Sequence, residues 1–184
     1  MVTKDLVILA RIANEFGGSM LDSLETRIAF QKTVYLLQLS GLDIGYVFGW
    51  ELYGPYSKSL AGNVRLYEES RCEVDKVAEQ LVLTQWAQDM ITRTRKFLSP
   101  PESPDVAPVK PSEWLEVLTS LHYLATLDYR NALLQEGSPA REHVTKCLLE
   151  RKPHLQGSPN LVRQAWESLF SFLGGLPAAP CSAA

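Results

Sequence analysis

Between Ser23 and Gly41 the chain reads SLETRIAFQKTVYLLQLSG, a helical pattern that is apolar around most of its circumference. Leu24, Ile28, Tyr35 and Leu39 share one face, and Phe30, Val34 and Leu37 fill another, so the helix has no fully polar side to turn to water. Ser23 is a good N-cap, Glu25 sits in the first turn where it complements the dipole, and Gly41 supplies the stop. Burying large side chains on two faces is worth roughly 1.5 to 3 kcal/mol each, which makes this helix the expected core organiser. Gln31 and Lys32 interrupt the apolar pattern. They read as a glutamine that caps a neighbouring loop's backbone and a lysine that snorkels to solvent.

After Gly45 the run Tyr46 to Tyr53, YVFGWELY, is rich in β-formers and too short for a buried helix, so it predicts a strand or extended segment. Gly54-Pro55 predicts a turn, and Ser57 a cap for a helix on which Leu60, Val64 and Tyr67 recur. Upstream, Thr3 caps a first helix with the stripe Leu6, Leu9, Ala10, Ala13 and Phe16, ended by Gly17-Gly18. The polar run ESRCEVD from Glu69 to Asp75 reads as a connection. Val74, Val77 and Leu81 to Leu83 fit either helix or the two strands of a wing, and Thr84, as cap of a helix from about Gln85 to Phe97, favours a short Leu81–Leu83 strand before it.

Five prolines in the thirteen residues from Ser99 to Pro111 mark a linker or long surface loop, since proline removes amide donors and biases its predecessor to extended backbone. Beyond it Ser112 caps a helix carrying Trp114, Leu115, Leu118, Leu121 and Leu124. Ser138-Pro139 and Ser158-Pro159 open two more, with proline at the first helical position. The expected fold is therefore mainly α with a small β element. Residues 1–98 form a winged-helix-like helical part, 99–111 the proline-rich linker or loop, 112–175 a C-terminal set of helices packed on the first part, and 176–184 a mobile tail.

Eighteen basic and twenty-one acidic side chains leave a net charge of -3, and neither half is basic, so a general electrostatic attraction to nucleic acid is absent and any binding to it should be weak. The three cysteines, Cys72, Cys147 and Cys181, are far apart, which fits a reduced, cytoplasmic protein. No apolar run approaches the roughly 20 residues that span a bilayer, and no membrane association is expected.

Catalytic patterns do not emerge, and we expect no enzyme and no cofactor. His143 and Cys147 share a helical face with His154 nearby, but two or three donors without a fourth predict no metal site. His122 on a leucine-rich helix reads as a core-edge residue, and Glu68 and Glu69, being adjacent, diverge instead of forming a dyad. Arg93, Arg95 and Lys96 complement the end of their helix and are the candidate phosphate contacts. Lys58 and Arg65, seven apart on the helix after the YGPYS turn, stand where a winged-helix protein presents its reading side chains.

The order RIAFQKTVYLLQ (Arg27 to Gln38), an aromatic strand, YGPYSKSLAGNVRLYEE (Tyr53 to Glu69) and WLEVLTSLHYLA (Trp114 to Ala125) resembles the YwgA-like prokaryotic proteins. It is similar, more distantly, to the Panacea domain of SocA-type antitoxins and phage GepA-like proteins. The resemblance implies an antitoxin-like or adaptor subunit that binds a protein partner encoded nearby, a toxin or defence effector. Trp50, Tyr53 and Tyr56, with Lys58 and Arg65 as a polar rim, are the expected partner-binding residues, because aromatic side chains give large contact area at low entropy cost. The alternative is a winged-helix transcriptional regulator.

Overall fold

Thr3 opens the first helix as expected, its hydroxyl accepting the Leu6 amide at 3.4 Å, and α1 runs Lys4–Glu15. The structure is a computed structural model and describes residues 2–17, 22–102, 109–128 and 139–174. Much of the proline segment, Ser138, Cys181 and the tail 176–184 lie outside these residues. Two compact units divide the chain, residues 1–98 and 99–184. Both are mainly helical, and a two-stranded antiparallel sheet lies in the first.

In the first unit, α2 (Leu24–Leu39) begins at a capping box in which Ser23 and Thr26 exchange side-chain and backbone bonds. It ends ahead of Gly41, whose φ of +102° suits a residue without a Cβ. A Cβ there would also stand 3.3 Å from the Trp86 ring. The hairpin pairs β1 (Gly49–Glu51) with β2 (Gly54–Tyr56), Trp50 opposite Pro55. Three more helices follow: α3 (Lys58–Glu69), α4 (Arg71–Ala78) and α5 (Gln85–Arg95). Helix α1 packs on α3 and α4, while α2 packs on α5 and β2. The core joins Leu9 and Ala13 of α1, Phe30, Val34 and Leu37 of α2, Leu60 and Tyr67 of α3, and Val74 of α4. Burial and a hydrogen bond to Asp75, 2.8 Å away, push the Tyr67 hydroxyl pKa up to about 12.

The first unit departs from four expectations. The aromatic strand covers Gly49–Glu51 only, and Gly54-Pro55 belongs to the second strand, so the chain reverses at Leu52-Tyr53 instead. The ESRCEVD run is mostly helix α4, because Val74 and Ala78, four apart, are both fully buried. Leu81 to Leu83 is not a strand: Val82 is 87 % exposed and has no ladder to join, so the wing expected there is a helix and a loop. Finally, Leu24 is 68 % exposed, and Ile28, Tyr35 and Leu39 only half-buried, so the second apolar face of α2 is not core.

The second unit holds α6 (Pro111–Asp128), α7 (Pro139–Arg151), a 3-10 turn (Pro153–Gly157) and α8 (Pro159–Gly174). Helix α6 starts at Pro111, one residue before its expected Ser112 cap; a proline amide has no hydrogen to lose in the first turn. It packs on α7 and α8. Trp114, Leu115, Leu118, Leu121 and Leu124 are buried, as are Leu148 and Trp166 from the partner helices. Lys152, just past α7, reaches across to Glu116 of α6 in an ion pair whose side chains are 2 % and 11 % exposed. Among the described residues no helix is long and apolar enough to cross a membrane.

Candidate functional site

The interrupting polar residues of α2 hold the site together. Gln31 accepts from the Ser57 amide at 3.0 Å and donates to the Ser57 carbonyl at 3.1 Å, fastening the joint between β2 and α3. Two helical turns on, Gln38 does the same to Tyr46, both bonds 2.8 Å. A glutamine amide offers a donor and an acceptor side by side, so it can pair with extended backbone as a neighbouring strand would. Lys32 does not snorkel. It is 1 % exposed, and its ammonium donates to the Pro55 carbonyl. That carbonyl faces a side chain instead of a third strand, and a buried acceptor must find a donor somewhere.

Pinned this way, the hairpin and α3 stand off from α2 and leave a cleft of about 540 Å³. Leu24, Arg27 and Ile28 form its α2 wall with Gln31 and Lys32 behind them; Val64, Arg65 and Glu68 form the α3 wall; Leu52, Tyr53 and Tyr56 close it from the hairpin. Leu24, Leu52 and Tyr53 are 68 %, 77 % and 43 % exposed, so three of the large exposed apolar side chains of the described residues converge on one hollow. At the rim Arg27 crosses from α2 to Glu68 on α3 at 2.9 Å. Glu51 faces Lys58 at 3.8 Å, and Arg65 faces Glu69, one turn on, at 3.8 Å.

The expected partner-binding residues separate here. Tyr53, Tyr56 and Arg65 line the cleft; Trp50, half-buried on β1, and Lys58, exposed at the start of α3, do not. Leu24, Arg27, Ile28, Leu52 and Glu68 line it without having been expected. The signal for Leu52 was a large apolar residue next to a Gly-Pro pair, in a stretch where turn residues are usually polar.

The candidate phosphate contacts do not gather into one exposed patch. Arg95 donates to the Glu15 carbonyl at 2.6 Å and lies over the Phe16 ring at 5.4 Å, so it secures the end of α1. Arg93 is half-buried and Lys96 exposed. On α7, His143 Nε2 and Cys147 Sγ are 3.3 Å apart, and among the described residues no three His, Cys, Asp or Glu side chains converge.

His122 is buried on α6, and burial holds its pKa down to about 4. The folded chain keeps the imidazole neutral while the unfolded chain protonates it near 6.5, so its contribution is present above pH 6.5 and is lost as pH falls toward 4. We expect the urea midpoint to fall between pH 6.5 and 5, before most carboxylates titrate, and to fall less in His122→Leu. Equal slopes for the two proteins would remove His122 as the cause.

Compared with family models, curated proteins and solved structures, the chain matches none.

Proposed function

We propose that the chain is a non-enzymatic protein-binding subunit, antitoxin-like or adaptor in role, and that it engages its partner through the cleft between α2, the hairpin and α3. The observation that carries this reading is the convergence of Leu24, Leu52 and Tyr53, all exposed, on one hollow with a charged rim. Contiguous exposed apolar surface is disfavoured unless a partner covers it, and an apolar centre inside a polar rim is the layout of protein interfaces. The role assigned to the partner, a nearby-encoded toxin or defence effector, follows from the resemblance of the α2 and YGPYS motifs. For the alternative, a DNA-binding regulator, Lys58 and Arg65 would have to read a groove; both have carboxylates beside them, which weakens that reading.

Co-expression with the product of each neighbouring reading frame tests the proposal. One of them should arrest growth alone, and the chain should restore growth and co-purify with it. Leu52→Asp and Tyr53→Asp, both at exposed positions, should keep the wild-type melting temperature yet lose rescue and co-purification. Rescue that survives both substitutions would exclude the cleft as the interface, and no association with either neighbour would exclude the role.

A further inference from the structure

The polar groups of the same cleft are unevenly matched, and the mismatch describes what fits there. The lining carries three cations, Arg27, Lys32 and Arg65, against two carboxylates, Glu51 and Glu68, and of the carboxylates Glu68 already takes Arg27. The Tyr53 and Tyr56 hydroxyls make no hydrogen bond to the described residues. Arg65 is tied only to Glu69, which lies outside the lining; their side chains are 75 % and 61 % exposed at 3.8 Å, and such a pair is screened and readily exchanged. Two phenols and a guanidinium thus border an apolar hollow that already holds the Lys32 ammonium in its wall. Resting on the protein-binding reading above, we infer that the occupant is a segment of the partner in which large apolar side chains sit beside an aspartate or glutamate. The apolar side chains pack on Leu24, Leu52 and Val64, and the carboxylate takes Arg65 and the tyrosine hydroxyls. The lining's excess of one positive charge suits a monoanionic carboxylate; a doubly charged phosphate group would draw on a larger cluster of arginines.

Selection of random dodecapeptides displayed on phage against the full-length chain reads this directly, with winners resynthesised and titrated by fluorescence anisotropy. The enriched peptides should carry Asp or Glu within one helical turn of Leu, Phe, Met or Trp. Their binding should disappear in Leu52→Asp and weaken about tenfold in Arg65→Glu, the loss of one charge-assisted contact. Replacing the peptide's acidic residue by lysine should restore binding to Arg65→Glu and to that variant alone. Tyr56→Phe should weaken the acidic peptide more than its amide counterpart. Circular dichroism melting checks that each variant folds. Peptides that need Leu52 but are basic or uncharged, or are indifferent to Arg65→Glu, would overturn the acidic-segment inference and leave the protein-binding cleft standing. Winners indifferent to Leu52→Asp, or no enrichment, would overturn both.

Discussion

Lys152→Met is expected to lose about 3–5 kcal/mol of stability, more than any other polar substitution discussed for this chain, because it leaves the Glu116 carboxylate buried without its cation. Two charges taken out of water are held there by each other, and removing one exposes the full desolvation cost of its mate. Replacing both is a different matter. The double substitution Glu116→Leu with Lys152→Met should return to within about 1 kcal/mol of wild type, or exceed it by about 1–4 kcal/mol, since apolar side chains of similar volume fill the site without that cost. Urea denaturation of the two single variants and the double completes the cycle. A single substitution costing less than about 1 kcal/mol would mean that water reaches the pair when its partner is gone.

Gln31→Leu should cost about 2–4 kcal/mol. Ser57 is fully buried, and its amide has Gln31 as acceptor, so that N–H would be orphaned at about 1–3 kcal/mol. The Ser57 carbonyl would lose one of two donors and keep the Ala61 amide, a smaller loss of about 1 kcal/mol. Gln38→Leu should cost less, because its bonds to Tyr46 are only part-buried and water can replace them. Hydrogen exchange locates the effect: the Ser57 amide should lose protection in Gln31→Leu and keep it in Gln38→Leu. Leu52→Asp, at an exposed turn, should stay within about 0.5 kcal/mol of wild type. Stability near wild type in Gln31→Leu would mean that the hairpin–α3 joint is held by other contacts.

Helix starts were the most legible part of the sequence. Thr3, Ser23, Ser57 and Thr84 each accept an amide from their own first turn, a bond requiring only local geometry. The wing was misread because Val74, Val77 and Leu81 to Leu83 permit both periods, and the choice fell to whether Val74 and Ala78 could bury together. The site was partly legible. Aromatic residues around a Gly-Pro pair drew attention to Tyr53 and Tyr56, but Trp50 shares that composition and turns away from the cleft, since neighbouring strand residues point to opposite faces and the register sets which.

By itself the amino-acid order determined where most helices begin and that Gly41 ends α2, because caps and positive φ act over one or two turns of chain. Tertiary structure alone decided the fate of the second face of α2. Ile28 and Leu24 have the same spacing as core residues, yet the hairpin is held off them by Gln31 on Ser57 and Lys32 on Pro55, contacts 26 and 23 residues distant in the chain. Side-chain bonds to distant backbone are not encoded in any local period. They converted an apolar stripe that reads as core into the wall of an open cleft.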